Sequence, residues 1–131
     1  LLQPMMDSEN IEIDVVLSNT ELKIEADLHL IEQVLINLLK NAMDAVKGKH
    51  GAKIILAGSV DAFGKPMLRV SDNGAGIPPG VIEQIFVPFF TTKKSGTGIG
   101  LSLCRQIMAL HKGTIQVQSV VGEGTSFWLQ F

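Results

Sequence analysis

Gln33, Asn37 and Asn41 stand four residues apart inside an otherwise aliphatic run, "HLIEQVLINLLKNAMDAV". On a helix that spacing puts them on one stripe. Asparagine is a poor residue for a helix interior, so two in register need a reason. One reading is a polar stripe facing solvent. The other is a row of amide oxygens able to ligate a hard cation such as Mg²⁺, whose remaining ligands are waters and phosphate oxygens. A second candidate is "SDNGAGIP", Ser71 to Pro78. Asp72 can accept a hydrogen bond from an exocyclic amine, which suits adenine and rejects a carbonyl in the same place. Gly74 and Gly76 allow backbone to approach a ligand closely. Asp-Asn-Gly is also a good turn, so this stretch carries little alone.

The third is "SGTGIGLSL", where Gly96, Thr97, Gly98 and Gly100 lead into a helical pattern. Backbone N–H groups and a helix N-terminus there make a phosphate cradle, against the simpler reading of a flexible glycine loop. From Gln84 to Gly122 the chain carries Lys93, Lys94, Arg105 and Lys112 and no acid, a local balance that favours a polyphosphate. "GEGTSF", Gly122 to Phe127, is by itself only a hairpin turn. The glycine loops of other nucleotide folds are absent: there is no G-x-x-x-x-G-K-[ST], no H-R-D and no D-F-G.

These stretches have to be positioned by a fold. "IEIDVVLS" and "LKIEAD" alternate and flank a turn-like "SNTE", which predicts a pair of strands. Asp27 is a good N-cap for a helix running from Leu28 to about Val46. Leu28, Ile31, Leu35, Leu38, Ala42 and Ala45 form its apolar face, and Gly48 ends it. "KIILAGSV" and "PMLRVSD" read as strands, Pro79 to Phe86 as a short helix, and "VPFFTTKKSGTGIG" as a loop. A further helix spans Ile99 to His111 with Gly113 as its C-cap, and "TIQVQSV" and "TSFWLQF" close the chain as strands. The order predicts an α+β domain with helices on one face of a largely antiparallel sheet.

The 131 residues fit one domain, with 46% hydrophobic and 18% charged residues, a globular balance. A net charge of -2 provides no basic field for nucleic acid or membrane. The one cysteine, Cys104, lies in an apolar run and reads as a buried reduced thiol. No apolar stretch reaches the ~20 residues that span a bilayer. The opening "LLQPMMDSEN" reads as the end of a preceding segment, so the expectation is a domain cut from a longer protein.

Together these stretches closely resemble the catalytic and ATP-binding domain of sensor histidine kinases, within the family that includes Hsp90, DNA gyrase B and MutL. "HLIEQVLINLLKNAMDAV" is similar to the asparagine box, and "SDNGAGIP", "IFVPFFTTK", "SGTGIGLSL" and "GEGTSF" match the remaining boxes in order. The resemblance implies a two-layer sandwich of a five-stranded mixed sheet and three helices, with ATP between helices under a lid. By that resemblance Asn41 ligates Mg²⁺, Asn37 supports the phosphates and Asp72 bonds the adenine amine. Gly74 and Gly76 shape the floor, and Ile77 touches the base. Phe86, Phe89 and Phe90 anchor the lid, and Lys93 reaches the phosphates. Gly96, Thr97, Gly98 and Gly100 cradle them, Leu101 packs near the base, and Thr125 lies under the adenine.

The ATP-hydrolysing relatives carry a glutamate four residues before the metal asparagine, where Asn37 stands here. Glu32 is nine residues before Asn41 and does not replace it. The departure implies transfer to an outside nucleophile instead of to water. Asp44 also departs, since many sensor kinases carry lysine there. The acceptor expected is a histidine on a separate dimerisation domain, with a response regulator downstream. His29, His50 and His111 read as structural or solvated, His111 near a helix C-terminus where a cation is favoured. The resemblance implies a cytoplasmic domain of a parent that can be membrane-anchored; no dimerisation helix is recognisable in the sequence, so a monomer is expected. The rival readings are a protein-serine kinase of the same fold and a nucleotide-binding module without transfer activity.

Overall fold

A computed structural model describes residues 11–17, 26–90 and 100–131. The expected strand at 22–27 falls, up to residue 25, outside the described residues, as do Lys93, Gly96, Thr97 and Gly98. Five strands form one sheet: β1 (Glu12–Leu17), β2 (Lys53–Val60), β3 (Pro66–Asp72), β4 (Thr114–Val120) and β5 (Gly124–Gln130). Their order is β1-β2-β3-β5-β4. β1 pairs parallel with β2, from Glu12 opposite Lys53 to Leu17 opposite Gly58, and the other three pairings are antiparallel. A parallel neighbour requires a crossover, and helix α1 (Leu28–Ala45) lies within it. The sheet is mixed for that reason.

α1 buries Ile31, Val34, Leu38, Ala42 and Met43. Opposite it, α3 (Gly100–Leu110) buries Ser102, Cys104, Ile107 and Met108. Beneath both lie Ile54, Val70, Phe127 and Leu129 of the sheet. In β5, buried Thr125, Phe127 and Leu129 alternate with half-buried neighbours, as a strand with one covered face must. Leu28, expected on the apolar face, is 69% exposed; the buried stripe starts one turn later, at Ile31. Cys104 is fully buried, and burial pushes its thiol up to about 11, well away from thiolate chemistry.

The Asp27 carboxylate caps α1, accepting from the Leu30 N–H at 3.1 Å. Its own backbone N–H donates to His111 Nε2 at 3.0 Å, and His111 Nδ1 lies 2.8 Å from the Ile107 carbonyl. His111 is structural, as expected, and it joins the start of α1 to the end of α3. α3 ends in a Schellman motif: Lys112 N–H donates to Ala109 O and Gly113 N–H to Met108 O. The left-handed residue is Lys112, with φ 58, and not the expected Gly113. Gly113 is needed for another reason: a Cβ there would run into the Gln130 carbonyl of β5.

The short helix α2 covers only Pro79–Ile82. Beyond it Gln84, Val87 and Phe90 each donate to the carbonyl three residues earlier, so the chain continues as turns. The helix ends four residues before the expected Phe86. Among the described residues no helix is long and apolar enough to cross a membrane.

Opposite outcomes are expected at two neighbouring positions. Gly113→Ala forces α3 away from β5 and costs about 2 kcal/mol. Lys112→Gly relieves the left-handed conformation and gains up to about 1 kcal/mol. Urea midpoints at unchanged slope measure both.

Candidate functional site

Asp72 is the last residue of β3, on the sheet face that also carries Val70 and the helices. Its Oδ1 accepts from the Gly74 N–H at 2.8 Å, closing an Asx turn that bends the chain out of the sheet. Asn73 ties the bend to the start of β2: its Oδ1 accepts from Lys53 N–H at 2.8 Å, and its Nδ2 donates to the Gly51 carbonyl at 2.9 Å. The bend is held on two further sides by backbone. A Cβ on Gly74 would enter the Ala45 carbonyl at the end of α1, and one on Gly76 would enter the Val120 carbonyl. Gly76 also sits at φ 78, in the left-handed region. Gly122 N–H then donates to the Ala75 carbonyl at 2.8 Å, pinning the loop to the β4–β5 hairpin.

Burial raises the Asp72 carboxyl above its ordinary value, opposed by the backbone bonds from Gly74 and Thr125 and more weakly by Lys49. Thr125 is its cross-strand partner and is 5% exposed. A carboxylate and a hydroxyl are therefore set side by side in a sheltered spot. Ile77 packs on the rim of the core, and its N–H donates to Ser119 Oγ at 2.7 Å.

Asn41 and Asn37 lie one and two turns before Ala45 on the α1 stripe that ends at this bend. Asn41, one turn back, is half-buried. At two turns back, Asn37 Nδ2 donates to the Gly100 carbonyl at 3.4 Å and approaches Cys104 Sγ at 3.7 Å. Its Oδ1 accepts from Gln33 Nε2 at 3.4 Å. The stripe thus runs from the N-terminus of α3 to the Asp72 bend, about 12 Å by helix rise. Leu101 packs against the core beside it. Phe86 and Phe90 also pack on the core, Phe86 edge-on to Phe127 at 6.5 Å, with the Arg105 guanidinium 5.6 Å from its centroid. Phe89 does not: it is 78% exposed, with φ 68.

Residues 26–131 match the family described as "Histidine kinase-, DNA gyrase B-, and HSP90-like ATPase". The chain belongs to that family. It is 40% identical to the sensor histidine kinase ZraS of Escherichia coli K12 over 122 residues, 93% of this chain and 26% of ZraS. It spans about a quarter of the length of the curated relatives it matches. The nucleotide-free catalytic domain of histidine kinase ThkA superposes with TM-score 0.86 at 35% identity, covering 99% of this chain and 85% of that one. ThkA in complex with response regulator TrrA gives 0.82 at 34% identity, over 99% and 36%. Full-length ShkA in complex with AMPPNP gives 0.86 at 27% identity, over 98% and 27%. The five-stranded mixed sheet with three helices is the fold of these catalytic domains.

In this histidine-kinase-type ATPase domain, reasoning from sequence missed two residues. Arg105 entered only as one of four local cations. Ser119 had a readable signal: in "TIQVQSV" it occupies the core-facing register after Ile115 and Val117, where an apolar residue belongs.

Because burial raises the Asp72 carboxyl, the folded state holds its proton more tightly than the unfolded state does. Asp72 therefore costs no stability below the ordinary value of 3.8, and the cost grows as pH rises through the raised value. Asp72→Asn keeps the acceptor for Gly74 and is expected to melt at or above the wild-type temperature at pH 7, with the difference closing below pH 3.8. Thermal unfolding across pH checks this.

Proposed function

We propose that this domain binds Mg²⁺–ATP and passes the γ-phosphoryl group to a histidine on a separate dimerisation domain of its parent protein, with a response regulator as the next acceptor. One observation carries the reading: a single α1 stripe joins the α3 N-terminus, suited to phosphates, to the paired Asp72 carboxylate and Thr125 hydroxyl, suited to an amino-purine. ShkA in complex with AMPPNP and ThkA in complex with TrrA support the nucleotide and the partner respectively.

The residues present fit the nucleotide and its ion. The bend at Gly74 to Ile77 brings backbone, not side chains, to the floor beside Asp72. Asn41 supplies a hard amide oxygen. Among the described residues no group of three His, Cys, Asp or Glu could hold a metal. The ion would therefore share Asn41 with phosphate oxygens and water. When bound, Mg²⁺ neutralises charge building on the β- and γ-oxygens. Gly100 and, in the undescribed segment, Lys93, Gly96, Thr97 and Gly98 complete the phosphate side of the proposal.

Asn37 positions the phosphate end by bonding the first residue of α3. Its amide takes no proton from water, so at its position nothing activates a hydrolytic nucleophile. Glu32 is exposed on the outer side of α1. An incoming imidazole nitrogen needs no such base: it forms the N–P bond as the bond to the bridging oxygen breaks and ADP leaves. His29 and His50 are exposed on this domain, and His111 is held between α1 and α3. The domain alone therefore binds ATP, stays monomeric and does not phosphorylate itself.

Calorimetric titration with ATP and GTP, with and without Mg²⁺, tests the site. ATP-selective, Mg²⁺-dependent binding is expected, and absence of binding would refute the reading. Asn41→Ala should abolish the Mg²⁺ dependence. Asp72→Asn should weaken ATP at least tenfold, because its amide N–H₂ then faces the adenine amine donor to donor. Label transferred from γ-labelled ATP in the full parent protein should be acid-labile; acid-stable label would assign a serine kinase.

A further inference from the structure

Ser119 sits at the centre of a small hydroxyl network on the covered face of the sheet. Its Oγ receives the Ile77 N–H at 2.7 Å, lies 3.0 Å from the Gly124 carbonyl and lies 2.9 Å from Thr125 Oγ1. A hydroxyl owns one proton and two lone pairs. The carbonyl can only accept and the amide can only donate. All three contacts are therefore satisfied together in one arrangement: Ser119 donates to Gly124 and accepts from both Ile77 and Thr125.

That arrangement has a consequence for the neighbouring residues. With its proton committed to Ser119, Thr125 keeps acceptor capacity only. Its cross-strand partner Asp72 is an acceptor as well, with one oxygen on Gly74. The Asp72 and Thr125 side chains thus present lone pairs and no donor, which suits an exocyclic amine and disfavours a carbonyl in the same place. Ser119 also fixes the height of Ile77 above the floor beside Asp72, through the same oxygen.

We infer that Ser119 is a specificity-determining positioning residue, which orients the Thr125 hydroxyl and anchors the Ile77 amide so that the site favours an amino-purine over a keto-purine. The inference rests on the ATP reading above. It goes beyond it by moving part of the discrimination from Asp72 to a residue that does not touch the base.

The test uses Ser119→Thr and Ser119→Val, which share a shape and differ only in the hydroxyl, with Ser119→Ala as a third variant. Valine and threonine add the same bulk at this strand position, so any packing cost is common to both and their difference reports the hydroxyl. ATP and GTP affinities are measured by calorimetry, and exchange of the Ile77 amide by NMR. The valine and alanine variants should bind ATP about tenfold more weakly, with GTP affinity unchanged or increased and the Ile77 amide exchanging faster. The threonine variant should restore all three. ATP and GTP weakened by the same factor would assign Ser119 a merely structural role and overturn the inference. So would valine binding as wild type does. A wild-type domain that binds no ATP would overturn the ATP reading, and the inference with it; a wild-type domain that binds while valine changes nothing would overturn the inference alone.

Discussion

Backbone meets backbone at Gly74, Gly76 and Gly124, where no side chain fits, and the arrangement of the candidate site depends on that contact. Gly74 lies on the last carbonyl of α1, Gly76 on Val120, and Gly124 on the carbonyl of Asp72 itself. The chain leaving β3 is therefore wedged between a helix end and a hairpin, with no layer of side chains between to absorb error. Asp72 keeps a fixed relation to α1 on one side and to Thr125 on the other. Any larger residue at these points would push the helix end, the bend and the hairpin apart.

Placement of that kind works against stability. A carboxylate half-withdrawn from water is held by two backbone N–H groups that only partly offset its lost hydration. The rest of the sandwich is correspondingly ordinary: an aliphatic interior shared by α1, α3 and one face of the sheet. Asn37 shows the same division of labour, since an amide between α1 and α3 is less favourable than a leucine would be. It holds the two helices in the register that aims α3 at the α1 stripe.

The strands were legible because their alternation is strong. "KIILAGSV", "PMLRVSD", "TIQVQSV" and "TSFWLQF" correspond to β2 to β5 within a residue or so, since one buried face imposes a period of two. The Asp27 cap and the extent of α1 were legible for a similar local reason. The parallel pairing of β1 was not, because periodicity records which face is covered and says nothing about the direction of a neighbour. The turns after Ile82 escaped because hydrophobic spacing there fits a helix and a run of i to i−3 turns equally well. Gly113 was misread in an instructive way: a glycine near a helix end suggests a conformation, and here the reason is space beside Gln130. Asp72, Asn37 and Asn41 stood out in sequence because each is a polar residue where an apolar one is expected. Ser119 obeyed the same rule but sat in a strand too regular to draw notice.

The hydrogen bond from Asp27 to His111 spans 84 positions of the chain. It places the entry to the first long helix under the control of the last turn of the third. Helices usually fray from their ends independently, but here the two loose ends share a partner. The entry of α1 and the exit of α3 are thereby coupled, so that fraying at one end loosens the partner of the other.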